Sequence, residues 1–176
     1  MATFGILSGA SGDALSAQRA LCTRAVLTED GVVSKLTVQY ANVSGGAANL
    51  VGFILSNATS APGSTLYGTT NALSISAGQT GTYGDLTFAD SVSLDAGTYW
   101  LGVMVNGGGS DNLRIYSAGE NAAYAIYRVD TGTYPTIPTA SYGLLANNWG
   151  SVIYATYELP PEPTFTGLTV TRLLNG

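Results

Sequence analysis

Histidine is absent from this chain of 176 residues, and cysteine occurs once, as Cys22. Without histidine, the usual base that activates a serine or cysteine nucleophile is missing, so the abundant Ser and Thr do not point to a hydrolase. A single cysteine excludes an internal disulfide, and stability has to come from a core. Cys22 lies in Ala20-Leu21-Cys22-Thr23 and reads as a small apolar residue rather than a reactive thiol. Charge is scarce too: Asp, Glu, Lys and Arg make up 10% of the residues, against roughly 25% in an ordinary soluble domain. The six basic residues, Arg19, Arg24, Lys35, Arg114, Arg128 and Arg172, are scattered. Nucleic acid and anionic membranes are therefore excluded as partners, since both need cations gathered on one face. No apolar run approaches the ~18 residues of a membrane span. Met1-Ala2-Thr3-Phe4-Gly5 lacks the basic and apolar regions of a signal peptide, so synthesis in a cytoplasm is expected.

Helical patterning is nearly missing as well. Asp13-Ala14-Leu15-Ser16-Ala17-Gln18 could form one turn, but Gly12 before it and the β-rich run after it favour a loop. Apolar residues instead recur at every second position in short runs, as in Val32-Val33-Ser34-Lys35-Leu36-Thr37-Val38 and Leu50-Val51-Gly52-Phe53-Ile54-Leu55. Turn residues such as Ala61-Pro62-Gly63-Ser64 separate the runs. This spacing predicts strands near 3–8, 19–28, 32–41, 49–56, 72–76, 82–89, 97–106, 112–117, 122–129 and 151–158. Eight or more strands about ten residues apart predict an all-β fold, an antiparallel two-sheet jelly-roll-like sandwich.

The domain is expected to span residues 1–158. Residues 130–150 show no clear alternation, and a loop this long either carries function or covers one end of the sandwich. Pro160-Pro161-Glu162-Pro163 then stops the sheet, because proline donates nothing to a ladder. Residues 159–176 are read as a proline-led, extended C-terminal arm in which Leu168 and Val170 alternate with Thr169 and Thr171. Phe165, Leu168 and Val170 are its candidate partner contacts.

Candidate chemistry is thin. Asp85, Asp90 and Asp95 recur every five residues but lack a calcium loop's dense oxygen ligands, and they read as solvated turn residues. Asn106-Gly107-Gly108-Gly109-Ser110-Asp111-Asn112 is glycine-rich, yet no helix or lysine follows it, and it reads as a hairpin turn. No metal or cofactor is expected. Aromatics remain. By the period-2 rule, one of Tyr99 and Trp100 faces the core. Trp149, flanked by Asn147 and Asn148, with Tyr134 and Tyr142 near in sequence, either stacks on a sugar ring or anchors a loop over the sandwich end.

Three segments carry a resemblance. Gly31-Val32-Val33-Ser34-Lys35-Leu36, then Val51-Gly52-Phe53-Ile54-Leu55-Ser56 with Ala61-Pro62-Gly63, then Val92-Ser93-Leu94-Asp95-Ala96-Gly97-Thr98-Tyr99-Trp100-Leu101-Gly102, together resemble a β-sandwich module of tailed-phage virion proteins and bacterial surface proteins. The last string is the most specific, and similar strings occur in carbohydrate-binding jelly rolls. The resemblance covers residues 3–158 and carries over no catalytic residue. It implies a non-enzymatic virion protein, of the capsid decoration (cement) or head-fibre type. Its implied partners are the major capsid protein and other copies of itself, with a trimer favoured. The alternative it implies is a carbohydrate-binding module that engages glycans, free or displayed on a tail or fibre.

Overall fold

A computed structural model describes residues 1–14, 19–43, 46–107, 113–118, 125–129, 133–147 and 150–161. The described residues contain no helix. Their strands are β1 (Ala2–Gly5), β2 (Ser11–Ala14), β3 (Ala20–Leu27), β4 (Gly31–Asn42), β5 (Ala48–Ala58), β6 (Ala61–Thr69) and β7 (Leu73–Ile75). They continue with β8 (Gln79–Leu94), β9 (Gly97–Gly107), β10 (Leu113–Ala118), β11 (Ala125–Val129), β12 (Gly143–Asn147), β13 (Gly150–Ser151) and β14 (Ile153–Glu158).

Two antiparallel sheets result. The first, sheet A, places β1, β14, β4 and β8 side by side, and β10, with β2 and β13, continues beside the far half of β4. In sheet B the order is β12-β11-β3-β9-β5-β6, with β7 also on β5. The row β1-β14-β4-β8 facing β3-β9-β5-β6 is the strand order of a jelly roll, in which two Greek keys wrap around one core. Strands β10 to β13 extend that frame.

Alternation explains the core. Leu36, Val38 and Tyr40 of β4, Ile153, Ala155 and Tyr157 of β14, and Leu101, Val103 and Val105 of β9 all turn into the space between the sheets. Gly52 joins them without a side chain, and the gap is filled by Leu36 and Leu86, each about 3 Å from where its Cβ would stand. At the β6–β8 corner the sandwich closes through a wide bulge. Val33 pairs with Val92 and Lys35 with Thr87, so four residues of β8 face Ser34 alone. The detour carries Phe88 across to bridge Thr70, beside a 2.8 Å bond from the Asn71 amide to the Thr87 carbonyl.

Three elements differ from the sequence expectation. Ser11–Ala14 pairs with β10 as a strand where a loop is expected. Ala61–Thr69 is a full strand, because the chain reverses two residues before the Pro62-Gly63 signal, at Thr59 and Ser60. Proline is tolerated there since β6 is an edge. Residues 143–147 form β12 inside the segment expected to lack structure. Glu162 and the rest of the C-terminal arm lie outside the described residues, as do 108–112 of the glycine-rich turn.

Candidate interaction surface

The central strands of sheet B are buried on both faces, as the nearly continuous apolar run Leu50-Val51-Gly52-Phe53-Ile54-Leu55 of β5 shows. In β9, Tyr99 turns into the inter-sheet core and Trp100 into a second apolar cluster on the outer face. Both residues are buried, so the two faces of one strand satisfy both candidates. The second cluster joins Ala20, Cys22, Val51, Phe53, Leu55, Trp100 and Met104. Its cover is the segment 133–142, which inserts Ile137 and packs Tyr134 and Tyr142 against it. That segment therefore covers a sheet face and not an end of the sandwich.

Tyr134 and Tyr142 are thus brought together, but as parts of a core. The Tyr142 ring lies 6.4 Å from that of Phe53, and Tyr127 meets Trp100 edge-on at 5.0 Å. Trp100 Nε1 donates to Asn57 Oδ1 at 3.0 Å. Burial raises the Tyr142 phenol far above its ordinary value, with the nearby Cys22 adding to the effect. Burial likewise pushes the Cys22 thiol up, and its Sγ contacts the Tyr127 carbonyl at 3.8 Å. A thiol held protonated in an apolar cluster is a packing group, not a nucleophile. Trp149, Phe165, Leu168 and Val170 lie outside the described residues.

The acidic residues are spread out. Asp85 sits within β8 rather than in a turn, where it accepts from Lys35 Nζ at 2.6 Å and Thr37 Oγ1 at 2.7 Å. Asp30 Oδ1 accepts the Ala96 amide at 2.7 Å and ties the β3–β4 turn to the turn before β9. Among the described residues no three His, Cys, Asp or Glu side chains gather where a metal could be held. Shallow hollows open to solvent lie on the surface. One of about 480 Å³ is lined by residues such as Arg24, Val26, Asn57 and Thr98, and one of about 400 Å³ runs between Tyr67 and the β8 bulge.

The sheet edges are more telling. An unpaired edge is a row of free amides and carbonyls, and proteins blunt it with shortness, charge, proline or bulges. Strands β1, β2 and β7 have four residues or fewer. Edge strand β8 carries Asp85, Asp90 and the wide bulge, and β6 carries Pro62 and two register shifts. By contrast β12 reads Gly143-Leu144-Leu145-Ala146-Asn147, with neither charge nor proline. Leu144 and Leu145 are 47% and 40% exposed. Between Ile126 and Tyr127 the β11–β12 register slips, leaving Leu145 as the extra residue of a bulge. A bulge suspends strict alternation, so two successive leucines can both reach solvent. Sequence reasoning missed this pair, although adjacent leucines between Gly143 and Asn147 were the available signal.

The chain matches no protein-family model, and no curated protein is significantly similar to it.

Proposed function

We propose that this chain is a non-enzymatic structural protein of a phage virion, a capsid decoration protein that binds the outer capsid surface through protein–protein contacts. The observation that carries the reading is the apolar edge of β12, which pairs with no second strand among the described residues, on a jelly-roll frame. An edge strand with two exposed leucines offers main-chain hydrogen bonds and apolar area together, the two ingredients of strand addition. The surface supports it too. With charged residues at 10% of the chain, Ser, Thr, Asn and Gly have to cover the outside, and such a surface loses little desolvation energy when it is covered by another protein. Placement of many copies on one lattice then multiplies weak contacts into firm attachment.

The test is co-sedimentation of the purified chain with capsids assembled from the major capsid protein of the same genome. Saturable binding at a fixed ratio to capsid subunits supports the proposal. Absence of binding, together with specific retention on a glycan array that is lost in Trp149→Ala, overturns it in favour of the carbohydrate-binding alternative.

A further inference from the structure

We propose that the β12 edge accepts residues 166–172 from the C-terminal arm of a second copy of this chain, as an added antiparallel strand. The inference rests on the reading of the chain as a protein-binding structural module; it assigns the β12 edge to the contact between copies and leaves the capsid to the rest of the assembled surface.

Three observations converge on it. The first is the acceptor. Gly143–Asn147 hydrogen-bonds to β11 on one side, pairs with no described strand on the other, and exposes Leu144 and Leu145 beside that side. The second is the donor. Gly167-Leu168-Thr169-Val170-Thr171 alternates apolar and hydroxyl side chains, so one face of an extended strand would present Leu168 and Val170 together. An antiparallel arm strand would set that apolar face beside the exposed leucines of β12.

The third observation is direction, which selects a second copy over the chain's own arm. Strand β14 runs toward the end of the sandwich where Glu158 pairs with Val32. β12 runs the same way, since β11 between it and β3 is antiparallel to both. To lie antiparallel on its own β12, the arm would have to turn back on itself between Glu158 and Gly167. Pro160, Pro161 and Pro163 occupy that stretch, and such sequences favour an extended rod of about 3.1 Å per residue rather than a reversal. A neighbouring molecule can meet the outgoing arm with its β12 already opposed, so no reversal is needed. Donor and acceptor are different surfaces, so two copies can exchange arms reciprocally about a two-fold axis, or copies can join head-to-tail and close into a ring where the rotation between them allows.

Two full-length variants test this, both changed at exposed or arm positions. One carries Leu144→Lys and Leu145→Lys on the edge. The other carries Leu168→Lys and Val170→Lys on the arm. Unchanged circular dichroism and a cooperative thermal transition confirm that each still folds. Light scattering after gel filtration, in the absence of capsids, then reads association. The expected result is an oligomeric parent chain, variants that each associate at least tenfold more weakly alone, and a heterodimer when the two are mixed, since each retains one intact half of the contact. An arm variant that still self-associates shows edge-to-edge pairing and overturns the proposal. So does a parent chain that stays monomeric, whether its β12 amides are protected from exchange by its own arm or not protected at all. Capsid co-sedimentation is measured separately, so the decoration reading and this contact can fail independently.

Discussion

The ring of Phe53 lies over Gly102, its cross-strand neighbour on the outer face of sheet B. A Cβ on Gly102 would stand 2.2 Å from Phe53 Cζ and 2.8 Å from the Leu21 carbonyl oxygen. Phe53 is itself fully buried in the cluster roofed by Tyr142 and Ile137, so the ring has no room to retreat. Gly102→Ala is expected to destabilise the protein by about 1–3 kcal/mol, the usual cost of overpacking. Gly46, with open space around its Cβ position, is the control, and Gly46→Ala should shift stability by less than about 1 kcal/mol. Urea unfolding of both variants checks the contrast, and equal effects would mean that the Phe53–Gly102 contact is not tight.

The hydroxyl of Tyr142 is buried and has no hydrogen-bond partner among the described residues. A polar group desolvated in this way costs about 1–3 kcal/mol in proteins. Tyr142→Phe keeps the ring that packs on Phe53 and removes only the oxygen. Stability should rise by about 1 kcal/mol, read as a higher urea midpoint with an unchanged slope. A loss of stability would show that the oxygen is satisfied after all.

The turn between β5 and β6 places two non-glycine residues in the left-handed region, Thr59 at φ 46° and Ser60 at φ 73°. Two-residue hairpins of this kind favour Asn-Gly, because φ is positive at both central positions and a β-branched residue is strained there. The double change Thr59→Asn and Ser60→Gly should stabilise the fold by about 1 kcal/mol or more. Thermal unfolding measures it, and a decrease would mean that the two native side chains stabilise the turn in other ways.

That turn also shows what in the sequence was legible. Alternation in Leu36-Thr37-Val38 and Leu101-Gly102-Val103 is strong because one face of each strand must be buried, and the strands it marks are present. β6 was hidden because Pro62 and Gly63 carry a turn signal, while the real reversal at Thr59-Ser60 uses residues with none. In β12 the bulge at Leu145 breaks the period that would announce a strand. The second core was obscured for a different reason. Strands buried on both faces lose their alternation, so Val51-Gly52-Phe53-Ile54-Leu55 marks a strand without saying that segment 133–142 covers its outer side. Tyr134 and Tyr142, near each other in sequence, do share a surface, but that surface faces the second core.

Asp85 provides a pH test on the outer face of sheet A. Partial burial alone would raise its carboxyl, but hydrogen bonds from Lys35 and Thr37, with the lysine charge, outweigh burial and hold it below the ordinary aspartate value. The folded protein thus binds this proton less readily than the unfolded chain, whose aspartates titrate near about 3.9. The contribution to stability is complete above that value and fades as pH falls through the lower folded one. Lys35 and Asp85 are 34% and 50% exposed, so solvent screening keeps the ion pair at about 1 kcal/mol or less. Asp85→Asn removes the contribution at every pH. The parent chain should therefore be slightly more stable than Asp85→Asn at pH 7, by a margin that narrows in high salt, and the two should converge as pH falls through the lowered folded value. Chemical denaturation at pH 7 and at low pH measures both margins, and a gap that widens on acidification would show that Asp85 is destabilising in its charged form.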